Sequence, residues 1–249
     1  DEVIKKRILA KNEDAQSLLD MDYAKNAAAL KNLFVFSNSV LDMKGYSSEK
    51  DYSDTYPFVP YQFRLMQDVF VQIRKHGNSG KNLAGGERSM LSGFQEAAQK
   101  LGNKDEHALI PFYMFYDTTH TFLDGAIRRV IDRCEVAAKN LDGIEPRDVA
   151  VLKLLYLIRY IEDIKSNVEN LATLMVDSVK ADKIILRDEI KESLERLLSQ
   201  NYISRNGDNY MFLTDDEQDV EREIRNTMID NSAIIQKIKE TIFGDLYQT

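Results

Sequence analysis

Apolar residues recur at three- and four-residue spacing along most of the chain, the period of amphipathic helices. Val3, Ile4, Ile8 and Leu9 share one helical face, and Leu18, Leu19, Leu30, Leu33 and Phe34 continue the pattern to residue 36. Residues 37–56 are polar, broken by Gly45, and read as a loop. The string Tyr56-Pro57-Phe58-Val59-Pro60-Tyr61-Gln62-Phe63 reads as an aromatic turn, with Pro60 opening the next helix at its first position. That helix is expected to run to Lys75 and to bury Phe63, Met66, Phe70 and Ile73. After a glycine-rich loop over 76–86, Glu87 to Leu101 is predicted helical, stopped by Gly102. Leu109 to Tyr116 is a short apolar run whose period is undefined, so it fits either a buried strand or the start of a helix. Thr121 to Asn140 is predicted helical, and Asp142-Gly143-Ile144-Glu145-Pro146 marks the best domain boundary.

Beyond that boundary the pattern is compact. Helices are predicted over 147–164, 167–179 and 186–200, the third with Ile190, Leu194, Leu197 and Leu198 inward. Two short alternating runs within 201–213, joined through Asn206-Gly207, then read as a β-hairpin. Three helices followed by a hairpin is the order of a winged helix. Thr214 is expected to cap a polar helix reaching Ile242, with Asp215, Asp216 and Glu217 at its positive end. The expected fold class is therefore mainly α: a helical, lid-like region over 1–143, a winged-helix domain over 144–213, and a linking helix over 214–249.

Composition agrees with helices joined by short connections: of 249 residues, 11 are glycine and 4 proline, and 30% are charged. The chain opens without an initiator Met and stops just after an amphipathic pattern, which reads as a piece of a longer protein. A net charge of −8 gives no overall attraction to nucleic acid. A lone cysteine, Cys134, excludes an internal disulfide, and with three histidines a structural zinc site is not expected. Cys134 lies among Val130, Ile131 and Ala138 and reads as a buried structural thiol. His76 and His107 sit in polar stretches and read as solvated. No 18-residue apolar run or secretory pattern is present, so the expected location is the cytoplasm, away from membranes.

A winged helix invites a DNA reading, and the residues that would carry it are Arg187, Lys191, Arg196 and Arg205. Asp188, Glu189, Glu192 and Glu195 cancel them, whereas a recognition helix needs a positive excess against phosphate. A protein-contact module is favoured, with DNA binding as the alternative. Gly77-Asn78-Ser79-Gly80-Lys81 fails as a phosphate-binding P-loop, because Lys75 and Asn82 stand where a glycine and a Ser/Thr are needed. Gly85 and Gly86 precede a helix start whose free N–H groups suit an anion, and Arg88 beside them suits a γ-phosphate. The string Leu83 to Ser89 resembles the signature motif of ABC-type and SMC-like ATPases. In that second alternative Leu109 to Asp117 would be the Walker B strand, but Thr118 stands where a second acid is required. Asp117-Thr118-Thr119-His120 reads as a helix cap, not a catalytic cluster, since adjacent residues do not share a helix face.

Tyr56 to Phe63, then Ser79-Gly80-Lys81-Asn82-Leu83-Ala84-Gly85-Gly86-Glu87-Arg88-Ser89-Met90-Leu91, together resemble the P-loop ATPases of BREX bacteriophage-exclusion systems, of the BrxC and PglY type. Asn167 to Ser178 and Phe212-Leu213-Thr214 add further matches. The resemblance implies a large AAA-like ATPase of phage defence whose Walker A motif lies upstream. This chain would be a non-catalytic lid and winged-helix portion coupling nucleotide state to assembly or partner binding. ATP and magnesium would belong to the parent protein, with no cofactor held by this chain itself. The implied partners are the rest of the parent ATPase, a homo-oligomer and other defence-system proteins. By analogy with initiator-type AAA ATPases, Arg88 or Arg64 would be a nucleotide-sensing arginine.

Overall fold

The computed structural model describes residues 2–39, 43–76, 86–102, 104–120, 123 and 125–227. Within them the chain is mainly helical, with one two-stranded antiparallel sheet. Helices α1 (Glu2–Arg7) and α2 (Glu13–Leu33) cover the first predicted segment. Asn12 caps α2, its side-chain oxygen accepting from Ala15 N at 2.8 Å. Ile4, Leu9, Leu19, Leu30, Leu33 and Phe34 are buried as expected, whereas Val3 and Leu18 face solvent.

Residues 37–56 are not all loop. Helix α3 (Glu49–Thr55) forms there, capped by Ser48, whose Oγ accepts from Asp51 N. Two turns are too short to show an apolar period, so only the cap chemistry marked it. Helix α4 (Pro60–His76) starts at its proline and buries Phe63, Met66, Phe70 and Ile73. Gln62, wholly buried, fixes the turn before it: Oε1 accepts from Val59 N and Nε2 donates to Ile110 O at 2.7 Å. Helix α5 (Gly86–Leu101) ends at Gly102, whose φ of +50° lies in the left-handed region.

The apolar run after it divides between the two predicted forms, extended at Leu109 and Ile110 and then helical from Phe112. Leu109 N donates to Asp177 O, Val179 N donates to His107 O, and Ala108 forms an isolated bridge with Ser178. A 3-10 helix (Phe112–Phe115) and a short α6 (Tyr116–His120) follow Pro111. These turns carry Phe115 into an aromatic knot in which Phe94 lies 4.7 Å from Phe63, 4.8 Å from Phe58 and 4.9 Å from Phe115.

Helix α7 (Gly125–Asn140) leads to the turn at Gly143, and α8 (Pro146–Leu157) starts with a capping box between Glu145 and Asp148. Helix α8 stops at Leu157, short of the predicted Ile164. Ile158, Ile161 and Ile164 remain buried through successive turns, Ile161 N donating to Ile158 O and Ile164 N to Ile161 O. Three-residue apolar spacing suits such turns as well as it suits a helix, which is why the sequence pattern runs on. Helix α9 (Val168–Leu174) is capped by Asn167, then the chain extends to meet residues 107–109.

Helix α10 (Lys183–Ser199) begins earlier than predicted because Asp182 caps it, accepting from Ile184 N and Ile185 N. Strands β1 (Ile203–Asn206) and β2 (Asn209–Phe212) pair Ile203 with Phe212 and Asn206 with Asn209. The hairpin's two loop residues are thus Gly207-Asp208, with Gly207 at φ +60°. Helix α11 (Asp215–Thr227) starts with a reciprocal cap: Thr214 N donates to Glu217 Oε2, and Glu217 N donates to Thr214 Oγ1. The expected continuation to Ile242 falls outside the described residues.

The order α8–α9–α10–β1–β2 is the predicted helix-helix-helix-hairpin arrangement. Its core is continuous with the segment before it, since one cluster of touching buried side chains runs from Ile4 to Phe212. Backbone pins join the two: Asn170, wholly buried, accepts from Ser37 N at 2.8 Å and donates to Ser37 O at 2.9 Å and Lys165 O at 2.8 Å. Among the described residues no helix is long and apolar enough to cross a membrane.

Candidate functional site

Arg187, Lys191, Arg196 and Arg205, the four DNA-contact candidates, are each engaged with an acid or a carbonyl. Arg187 Nε stands 2.7 Å from Glu169 Oε1 on α9, close enough for an ion pair although off the hydrogen-bond axis. Lys191 Nζ donates to Asp188 one turn back at 3.0 Å. Arg205 donates to Gly207 O at 2.7 Å, lies 3.8 Å from Asp208 and covers the Tyr210 ring. Arg196 turns inward: its guanidinium grips the Asp148 carboxylate through Nε and Nη2 and reaches Glu145 at 3.2 Å. The hydrogen bond that Arg196 donates to Asp148 is the main cause holding its pKa above the ordinary value, against the burial that lowers it. A phosphate backbone approaching α10 would therefore compete with acids already in place.

Of the nucleotide-contact candidates, Gly85 lies outside the described residues, as does most of the 76–86 loop. Gly86 is the first residue of α5, and Arg88 follows in its first turn, its side chain outside the described set. Arg64 is on α4 and pairs with Asp68 one turn on, Nε to Oδ2 at 3.1 Å.

Asp117-Thr118-Thr119-His120 lies on α6 rather than at a cap, and Asp117 and Thr118 bond to neighbouring helices. Asp117 bonds to Lys100 on α5 and lies 3.5 Å from Lys153 on α8, which donates to Glu135 on α7 at 2.7 Å. Thr118 donates to Glu96, and Thr119 donates to Tyr116 O. Burial would raise the Asp117 pKa, but the Lys100 hydrogen bond and the Lys153 charge outweigh it and hold it below the usual range. Burial likewise favours neutral Lys153, and Glu135 and Asp117 override it to keep the ammonium charged. This is a closed charge set that joins four helices.

His76 is exposed, as expected, whereas His107 is not. His76 stacks on Tyr160, ring centroids 4.3 Å apart and planes 14° from parallel. His107 is mostly covered, with Nδ1 3.2 Å from Asp22 Oδ1, again off the hydrogen-bond axis. Asp22 also accepts from Tyr52 Oη and Asn26 Nδ2. Cys134 is sealed from solvent, and burial, with Asp148 and Glu135 nearby, pushes its thiol up to about 12. No group of three or more His, Cys, Asp or Glu among the described residues is arranged to hold a metal ion.

A concavity of about 590 Å³ lies between the turns after α8, strand β2 and α11. Ile158, Ile161, Tyr210 and Leu213 give it an apolar floor. Arg159 crosses it, donating to Phe212 O at 3.2 Å and Glu217 at 2.6 Å, its guanidinium 5.8 Å from the Phe212 ring centre. Burial opposes the Glu217 charge, yet the Arg159 bond and the Thr214 backbone N–H lower its pKa. At the lip, Met211 and Val220 remain 46% and 56% exposed. The groove was missed in the sequence because it exists only where α8 breaks after Leu157.

No protein-family model matches this chain, and no solved structure matches it.

Proposed function

We propose that this chain is a non-catalytic, protein-contacting portion of a larger AAA-like ATPase of bacterial phage defence, working in the cytoplasm. The family part of the reading is supported by the strings Tyr56 to Phe63 and Ser79 to Leu91. The protein-contact part is supported by one arrangement: Arg187, Lys191 and Arg196 on α10 are paired with acids, while an apolar groove beside the hairpin stays open to solvent. Apolar surface of this kind gains by burial against another protein, and a neutral face gains little from phosphate. In the parent, the helical region would move with nucleotide held mainly by the upstream core, and the hairpin end would present the changed surface to partners. ATP and magnesium belong to that core.

Calorimetric titration of the chain with magnesium-ATP tests the assignment, with no binding expected. Tight binding or unaided hydrolysis would overturn it. A low-salt gel shift with duplex DNA is the companion test. Retardation that fades steeply with added salt would transfer the role of the hairpin end to nucleic acid.

A further inference from the structure

A second pocket, of about 360 Å³, opens where the link between α1 and α2 meets the turn at Pro57 and the end of α5. Ile8, Pro57, Ala98 and Leu101 give it apolar walls, and Lys11 lines it as a part-buried amine. Lys11 Nζ donates to a carbonyl, Tyr56 O, at 2.8 Å. Lys5, Lys6, Lys100, Lys153 and Lys191 are each paired with a carboxylate instead. Burial lowers the Lys11 pKa to about 8, against the charge of Asp54. About one chain in ten therefore carries a neutral Nζ at pH 7, against fewer than about one in a thousand for an ordinary lysine. A neutral amine has the lone pair that an ammonium lacks, and desolvated lysines act as nucleophiles toward carbonyl carbon for this reason.

The pocket also fits the product of such an attack. An ammonium brings three donors and a charge to a part-buried place. A secondary amide brings one N–H, which keeps the bond to Tyr56 O, and no charge, while a short acyl chain lies against the apolar walls. Lys104, Asp105 and Glu106 leave the rim with a net negative charge, so a thioester suits it better than an acyl phosphate. We propose that Lys11 is a modification site, acylated directly by short acyl thioesters. The Nζ lone pair attacks the thioester carbonyl and the C–S bond breaks. The thiolate leaves with the electron pair, and Nζ gives one proton to water, which completes the amide. This inference does not lean on the ATPase reading.

Acetylation of the folded wild-type chain by N,S-diacetylcysteamine, a small uncharged thioester, tests it. Samples taken between about pH 7 and pH 10 are digested and read at each lysine by mass spectrometry. At pH 7 Lys11 is expected to react about tenfold faster than the exposed Lys6 or Lys191. Its rate should level off above about pH 8, while theirs climb to pH 10. Lys183 is the internal control for the pocket. Burial lowers its pKa too and it donates to Val35 O, but it stands on α10, away from these walls, and is expected to lag behind Lys11. In urea the lead of Lys11 should vanish. Ala98→Leu narrows the pocket and is expected to slow Lys11 alone, with a melting curve matching the wild type showing that the variant folds. In the wild type, a Lys11 no faster than Lys6, a rate that climbs in parallel with the exposed lysines, or a Lys183 that matches Lys11 overturns the proposal.

Discussion

The Asp148 carboxylate has no solvent exposure, and the Arg196 guanidinium holds both of its oxygens, Nε to Oδ2 at 2.7 Å and Nη2 to Oδ1 at 2.8 Å. Glu145 N adds a third donor at 2.9 Å, so the carboxylate is satisfied on all sides. The pair joins the start of α8 to the end of α10, 48 residues apart. An arginine that the sequence offers to DNA is thereby committed to the interior.

Removing that arginine leaves a buried charge with one backbone donor. Arg196→Met is expected to cost about 3 kcal/mol, the lower end for breaking a buried pair, since Arg196 keeps one edge in water. Urea unfolding should show a lower midpoint at unchanged slope. Adding Asp148→Asn should recover part of the loss. A single variant as stable as the wild type would mean that water replaces the guanidinium freely.

Lys11 gives the fold a pH dependence of unusual sign. Burial lowers its pKa from 10.5 to about 8, despite the opposing charge of Asp54, while Nζ donates to Tyr56 O. Between pH 8 and 10.5 the unfolded chain therefore holds more protons than the folded one. Stability linked to this group rises with pH through that window and is level above it. Lys11→Met should compare better with the wild type at pH 7 than at pH 10, as read from urea midpoints. A stability difference that is constant with pH would contradict the depressed pKa.

Cys134 should be silent in the folded protein. With its thiol pushed up to about 12 and no exposed surface, labelling by a thiol-specific maleimide at pH 8 is expected only after unfolding in urea. Mass spectrometry of native and unfolded samples reads this directly, and rapid native labelling would show that the α7–α8 interface opens.

Gly207 isolates a backbone effect. A Cβ there meets nothing within 4 Å, yet φ is +60°. Gly207→Ala should cost about 1 kcal/mol from the left-handed conformation alone, and Gly207→Asn less. Thermal melts of the two variants should rank in that order, and equal melting temperatures would mean that the hairpin loop relaxes to another turn.

The legible parts of the fold were those with redundant local signals. Phe63, Met66, Phe70 and Ile73 repeat over several turns, and the hairpin combines alternation with a glycine at its bend. Short or context-made elements were not legible. Helix α3 rests on Ser48 and one large buried residue, Tyr52, and the extended form of Leu109 and Ile110 is imposed by Asp177 and Pro57 from elsewhere in the chain. The same division holds at the site. Charge cancellation on α10 was visible as a local sum, but the partners chosen by Arg187 and Arg196, Glu169 and Asp148, come from other helices. The groove required knowing where α8 stops, which an unbroken three-residue apolar spacing conceals.

Asn170 uses every donor and acceptor of its side-chain amide, two of them on the backbone of Ser37. Sliding the N-terminal strand of chain by one residue would strand that amide in a dry interior, at a cost of about 1–3 kcal/mol for each unmade bond. It therefore acts less as glue than as a key: it adds little net strength to the correct alignment and vetoes the neighbouring ones.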